Sequence, residues 1–333
     1  MQVVVLAGGF GTRLRPWTKH VVKPLLPLLD KTLIERVIET LPEEVVDEVL
    51  IAAGYGIDQM REHFSGIDTP YPVRIVEEFE PLGTGGAIAN CREYLTGTFA
   101  VMNGDLLSSV NFTQMLAVHG TQRRALATIS LWEVDDPTRF GVCDYREGLI
   151  YQFQEKPTLE EACSNMINAG CYILDMDIFE RMPDGPHSLE RDVFTYLAAE
   201  SLLRGCPFEG HFVDAGTPES WLEAMHICLT KQRWQSGAPN GSGSWIGPSA
   251  NVDGGALDSS IGEAAEVKEG ALVTRSSVLR GACIEADAAV QDCLIGEWAT
   301  IGGGAHIEGV VVDYRATVPA GHVQTGGTFE ADE

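Results

Sequence analysis

The chain predicts an α/β domain with a mainly parallel, helix-covered sheet, followed by a parallel β-helix. Three observations carry this reading. Short apolar runs alternate with helical patterns over the first 230 residues. A Gly/Ser-rich stretch, Gln235 to Ser244, interrupts that texture. Beyond it, aliphatic residues recur near every sixth position, the period of a prism built from hexapeptide turns. A length of 333 residues suits two domains better than one core. The boundaries predicted are 1–232 for the first domain, 233–244 for a linker and 245–328 for the β-helix.

Val3–Ala7, Val49–Ala53, Val73–Val76, Phe99–Met102 and Ala125–Leu131 are short, apolar and read as buried strands. Between them, Leu33, Ile34, Val37, Ile38 and Leu41 share one helical face, and a second helix is expected from Gly86 to Leu95. Strands alternating with helices imply a parallel sheet, whose ligands bind beyond the carboxyl ends of the strands. In the last segment the periodic residues are Ile246, Val252, Ile261, Val267, Val273, Leu279, Ile284, Val290, Ile295, Ile301 and Ile307, most of them followed by small residues. Each coil of such a prism buries its aliphatic residue only against neighbouring coils.

Composition narrows the function. Mean hydropathy is near zero, and no stretch approaches the roughly twenty apolar residues of a membrane helix. The N-terminus shows no basic region or cleavage site, so a cytoplasmic protein is expected. Eight scattered cysteines without metal-ligand spacing read as reduced structural thiols. The net charge of −25 argues against nucleic acid and membrane surfaces as partners. Residues 1–36 nevertheless carry Arg13, Arg15, Lys19, Lys23, Lys31 and Arg36 against only Asp30 and Glu35. A basic island in an acidic chain calls for an anionic ligand.

That island holds Leu6-Ala7-Gly8-Gly9-Phe10-Gly11-Thr12-Arg13-Leu14-Arg15-Pro16, directly after the first strand. Glycines without a Cβ let backbone N–H groups wrap an anion, and Arg13, Arg15 and Lys23 bring charge to it. A triphosphate needs both. A Walker loop would require Gly-Lys-Ser/Thr, where this chain has Gly11-Thr12-Arg13. A dinucleotide fingerprint would need glycine or alanine at Leu14, although Asp30 lies at a compatible distance.

Together with Lys23-Pro24, this stretch resembles the signature of the sugar-nucleotide pyrophosphorylases, nucleotidyltransferases that act on sugar 1-phosphates. Further segments match in order: Glu80-Pro81-Leu82-Gly83-Thr84-Gly85-Gly86-Ala87, Asn103-Gly104-Asp105, Phe140-Gly141-Val142, Glu155-Lys156-Pro157, Ile167-Asn168-Ala169-Gly170 and Val213-Asp214-Ala215-Gly216-Thr217-Pro218. The resemblance spans nearly the whole chain. It implies a Rossmann-like nucleotidyltransferase domain followed by a left-handed parallel β-helix.

The resemblance also implies roles. Leu6, Ala7, Gly8, Gly9, Gly11, Thr12, Arg13 and Lys23 would meet the nucleotide phosphates, with Glu78, Gly83 and Thr84 near the base and Glu80 as a second candidate acceptor. Gly141, Glu155, Lys156 and Asn168 would meet the sugar phosphate. Arg13, Lys23, Asp105 and Lys156 would serve catalysis. Asp105 and Asp214, each at the end of a strand, would bind Mg²⁺, which favours a few carboxylates plus phosphate oxygens.

Glu80–Ile88 and Ser164–Gly170 look most like guanylyltransferases that form GDP-mannose or a GDP-heptose. Thymidylyl members tend to carry Ser-Lys-Gln where this chain has Val22-Lys23-Pro24. Thymidylyl- and uridylyltransferases for glucose 1-phosphate are the alternative pairings, and a non-catalytic regulatory subunit is the alternative of another class. His306 and His322 are candidate bases should the β-helix carry an acyltransferase activity. Its flat faces suit homo-oligomer contacts better.

Overall fold

The computed structural model describes residues 1–121 and 125–331. Two compact units emerge, Met1–Gly9 with Val37–Phe212, and Phe10–Arg36 with Val213–Glu333.

The first unit is built on a sheet that is nine-stranded among the described residues. Its strands are β1 Gln2–Leu6, β2 Glu48–Ala53, β3 Val73–Glu77, β4 Phe99–Asn103, β5 Ala127–Glu133, β6 Gly141–Arg146, β7 Leu149–Glu155, β8 Met166–Leu174 and β9 Leu203–Pro207. They lie in the order β3-β2-β1-β4-β8-β5-β9-β7-β6. From β3 to β4 the pairing is parallel. β8 runs antiparallel to β4 and β5, and β7 antiparallel to β6 and β9. The parallel expectation therefore describes the half that carries the glycine loop, while the other half is mixed. Val3, Val4, Val5, Val49, Leu50 and Ile51 have no exposed surface, as expected of strands covered on both faces.

Helix α1 (Leu33–Ile38) bridges the boundary between the units, and α2 (Ile57–Ser65) follows β2. Helix α3 (Gly83–Asn90) begins three residues before the predicted start and gives way to a 3₁₀ turn, Arg92–Tyr94. Helix α4 (Phe112–His119) is capped by the Asn111 side chain, which accepts from the Gln114 N–H.

The second unit holds α6 (Pro218–Thr230) and the hexapeptide β-helix. (Helix α5, Thr195–Ala199, belongs to the first unit.) Thr217 caps α6 in a capping box with Ser220, and Pro218 occupies the first turn. The prism has three parallel faces. One stacks Ile246, Ile261, Val278, Ile295, Val312 and Phe329 in register. A second stacks Val252, Val267, Ile284, Ile301 and Val318, and a third Ala256, Val273, Val290, Ile307 and Gln324. The stacked residue on the first face is Val278, with Leu279 buried beside it, which corrects the predicted column by one position. Full burial of each aliphatic side chain contributes about 1.5–3 kcal/mol, which is how a coil without a core of its own is held.

Left-handed backbone at Ala264, Gly281, Trp298 and Arg315 turns one corner of successive coils. Inside the prism, the Ser244 Oγ accepts from Ser259 N–H (3.0 Å), Ser259 Oγ from Ser276 N–H (3.1 Å) and Ser276 Oγ from Cys293 N–H (3.0 Å). Cys293 continues the column, its Sγ accepting from Val310 N–H at 3.4 Å, and burial pushes its thiol up to about 11. This thiol is structural.

The predicted linker is held in place. Asp30 accepts from the Gln235 and Ser236 N–H groups at 2.6 and 2.9 Å, and Ala238–Pro239 pairs antiparallel with Trp245–Ile246.

Candidate functional site

In the first unit, β1 delivers Leu6 to the carboxyl edge of the sheet. Its carbonyl accepts from Gly104 N–H, and Ala7 N–H donates to the Ala52 carbonyl, both at 2.9 Å. Gly8 and Gly9 follow, both exposed. Glu78 sits beside Gly8: a Cβ there would lie 3.5 Å from Glu78 Oε1. Burial raises the Glu78 carboxyl above the ordinary range, against an opposing hydrogen bond from the Leu82 N–H.

Gly83 opens α3 with φ of +72°, and a Cβ would meet the His187 carbonyl at 2.5 Å. That carbonyl accepts from both Gly85 and Gly86 N–H. The glycines of this motif therefore permit close packing of α3 against the 185–189 segment. Thr84 is drawn to the same segment, donating to Glu190 Oε2 at 2.6 Å and accepting from Leu189 N–H at 2.9 Å.

A cavity of about 410 Å³ opens beside Thr84, and its walls include Asn103, Gly141, Glu155, Lys156, Asn168 and Glu190. The four residues assigned to the sugar phosphate thus share one cavity with Thr84, which was placed with the base. Gly141, the first residue of β6, leaves room for the Phe153 ring, which a Cβ would strike at 2.4 Å. Glu155 ends β7; burial, then the charge of Glu190, raises its carboxyl above the ordinary range, while Lys156 opposes the shift. Lys156 has φ of +51°, and its Nζ lies 3.4 Å from Glu155 Oε1. Asn168 precedes an irregularity in β8, donating to the Tyr172 hydroxyl at 3.0 Å and accepting from Gly170 N–H at 2.9 Å. Burial, then Glu190, pushes the Tyr172 hydroxyl well above its usual range, so the phenol stays protonated.

Arg139, Phe140, Ser188 and Arg191 complete the cavity wall. Sequence reasoning missed them, with Asn103 and Glu190, as site residues. Asn103 and Phe140 lay within quoted motifs, so a signal existed. Ser188, Glu190 and Arg191 come from a segment with no motif, just before and within a π-helical turn, Glu190–Phe194.

The second unit carries Gly11, Thr12, Arg13, Lys23 and Asp214. Three 3₁₀ turns, Thr12–Leu14, Trp17–Lys19 and Lys23–Leu25, fold the basic segment on itself. Gly11 has φ of +61°, and a Cβ would approach Lys23 Cβ and Thr18 Cγ2 to 2.9 Å. Thr18 Oγ1 donates to the Gly11 carbonyl at 2.9 Å. Asp214 faces both cations, with Lys23 Nζ 3.8 Å away and Arg13 Nη2 at 4.0 Å. The Lys23 side chain is buried and that of Arg13 exposed. Gly216 leaves room for the guanidinium, since a Cβ would lie 2.6 Å from Arg13 Nη2. Asp105 sits in the turn after β4, partly buried.

Among the described residues, no three His, Cys, Asp or Glu side chains cluster as a metal cage. Mg²⁺ is commonly held by one or two carboxylates plus substrate phosphates, and single aspartates at strand ends fit that mode.

This is the architecture of an α/β nucleotidyl transferase joined to a hexapeptide β-helix. The chain belongs to the nucleotidyl transferase family, whose model matches residues 2–231. Residues 245–333 match the GlmU-like C-terminal hexapeptide family. The chain is 32% identical over 329 residues to probable mannose-1-phosphate guanylyltransferase 3 of Oryza sativa subsp. japonica, covering 94% of this chain and 90% of the relative. Mannose-1-phosphate guanylyltransferase 1 of Arabidopsis thaliana gives the same identity and coverage. The crystal structure of HddC from Yersinia pseudotuberculosis complexed with GMP-PN superposes with a TM-score of 0.57 at 28% identity, covering 68% of this chain and 98% of that one.

Proposed function

We propose that this protein is a mannose-1-phosphate guanylyltransferase, converting GTP and mannose 1-phosphate to GDP-mannose and pyrophosphate. The observation that carries the reading is the 410 Å³ cavity in which Glu155, Lys156, Asn168 and Gly141 converge. A carboxylate and an amide provide the polar edges a hydroxylated ring requires, and Lys156 provides charge for its phosphate. The half-buried Glu78 carboxylate beside Gly8 supports guanine, whose N1–H and N2 amine donate to an acceptor of this kind.

In the reaction, an oxygen of the sugar 1-phosphate attacks the α-phosphorus of GTP. The bond from that phosphorus to the bridging oxygen breaks, and pyrophosphate leaves. The nucleophile is already anionic, so positioning and charge neutralisation outweigh base catalysis. Gly8, Gly9 and Gly11 present backbone N–H groups to the triphosphate, and Leu6, Ala7 and Thr12 hold the loop. Arg13 and Lys23 neutralise its phosphates, and Gly83 and Thr84 shape the approach to the nucleotide. Lys156 holds the sugar phosphate against the repulsion between two polyanions. Asp105 and Asp214 would hold Mg²⁺, which supplies charge stabilisation at the phosphates when bound.

The catalytic domain in this reading comprises residues 1–232, with 233–244 joining it to a β-helix that mediates homo-oligomer contacts in the cytoplasm. The decisive test is pyrophosphate release over a grid of GTP, UTP, dTTP, CTP and ATP with mannose, glucose and N-acetylglucosamine 1-phosphates. Turnover greatest with GTP and mannose 1-phosphate is expected. Turnover confined to dTTP or UTP with glucose 1-phosphate would overturn the substrate pair, and none with any pair would favour a regulatory subunit.

A further inference from the structure

The basic segment belongs to the same compact unit as the β-helix, and the contacts that bind it there are specific. Trp17 has no exposed surface. Its indole N–H donates to the Val312 carbonyl at 3.0 Å. The ring packs edge-on against Tyr314 (centroids 6.2 Å apart) and against Trp221 of α6 (6.4 Å). Three residues on, His20 stacks on the same Tyr314 ring, with centroids 5.0 Å apart at an interplanar angle of 16°. Its Nε2 lies 2.8 Å from Asp313 Oδ1, and Asp313 is buried. Lys19 adds an exposed pair with Glu330 at 2.7 Å, which contributes little by itself.

We propose that the last coils of the β-helix position the phosphate-binding side chains, with Tyr314, Asp313 and the Val312 carbonyl clamping the Trp17–His20 turn. Trp17 lies between Arg13 and Lys23 in sequence, in the middle one of the three 3₁₀ turns. The turns are not independent. Thr18 within the clamped turn touches Gly11 and donates to its carbonyl, and Gly11 in turn packs against the Lys23 stem. Trp221, the other wall around Trp17, is one turn into the helix that starts after Asp214. The clamp therefore reaches Arg13, Lys23 and Asp214 together, through side-chain packing in which sub-ångström shifts are resisted. Tyr314 and its neighbours are positioning residues that touch no substrate. The proposal rests on the phosphate role given to Arg13 and Lys23, and extends it to the far end of the chain.

Tyr314→Ala removes the ring that both Trp17 and His20 contact. Tyr314→Phe is the conservative partner, because the hydroxyl is buried and makes no hydrogen bond among the described residues. Two measurements on the full-length protein read the clamp. In amide hydrogen exchange without substrates, Tyr314→Ala is expected to accelerate exchange in residues 11–26 by about tenfold or more while protection in coils 245–300 stays native, a local opening as opposed to global unfolding. In steady-state kinetics, the KM for the triphosphate is expected to rise about tenfold and that for the sugar 1-phosphate less than about twofold, with Tyr314→Phe near wild type in both. Native exchange in residues 11–26 of Tyr314→Ala would overturn the proposal, as would equal rises in the two KM values. A wild-type protein without turnover on any substrate pair would instead defeat the functional reading alone, because the exchange measurement needs no substrate.

Discussion

In the proposed reaction the cavity and the basic loop would solve the same problem, holding a phosphorylated ligand, by opposite means. The cavity takes its walls from strand ends, α3 and the 188–191 segment, spread over more than a hundred residues of sequence from Thr84 to Arg191, and its shape depends on Gly141, where there is no spare volume. Gly141, in the wall, is filled against Phe153, and Gly170, outside it, against Leu106 and the wall residue Asn103. The loop takes its cations from a single stretch, Arg13 to Lys23, folded in short turns and pinned through Trp17 and His20 by Val312, Asp313 and Tyr314. A cavity assembled across a sheet inherits the rigidity of the sheet. A loop of local turns has little of its own and must borrow it from a neighbour.

The contrast can be broken at three points. The largest effect is expected in the loop. Arg13→Ala should leave the fold nearly native and lower turnover at least about a hundredfold, the scale of losing one key charge contact. Unchanged turnover in that variant would remove Arg13 from the phosphate site. A smaller effect, on stability, is expected beside the cavity, behind its wall residue Asn103. Gly170 has φ of +67°, and a Cβ would fall 2.2 Å from Leu106 Cδ1 and 2.6 Å from Asn103 Nδ2. Gly170→Ala should therefore cost about 1–3 kcal/mol in urea unfolding through backbone strain and overpacking. A cost near zero would mean that the packing behind Asn103 yields as a loop does.

The smallest effect is a pH dependence. Burial and the nearby Glu190 raise the folded-state carboxyl of Glu155 above its ordinary value of 4.5. The folded protein thus binds this proton more tightly than the unfolded chain does. Stability from Glu155 is fully present below the ordinary glutamate range and is lost as pH rises through the raised value. The difference in melting temperature between wild type and Glu155→Gln should therefore shift against wild type as pH rises from about 4 into the neutral range. A difference that does not change with pH would place Glu155 in ordinary solvent.

Much of this is legible in the sequence. Leu6 to Pro16 reads as a candidate anion loop because glycine and arginine act locally, through missing Cβ atoms and fixed charge. The hexapeptide period revealed the prism because each coil repeats one environment, and Val278 displaced Leu279 only because the period is not strictly six. Gly141, Glu155, Lys156 and Asn168 were each legible within a short motif, and one cavity does hold them. Thr84 was assigned to the base, yet its hydrogen bonds run to Leu189 and Glu190.

Sequence alone thus determined what is local or periodic: strands and helices by pattern, the β-helix by repeat, the basic loop by its glycines and cations. Tertiary structure decided what joins distant residues. It brought Glu190 and Arg191 to the cavity, turned β8 antiparallel between β4 and β5, and seated Trp17 and His20 against Val312, Asp313 and Tyr314. The physical reason is that packing complementarity between segments leaves no periodicity in either one. A tryptophan next to a basic turn looks the same in sequence whether it faces solvent or is held by a coil nearly three hundred residues away.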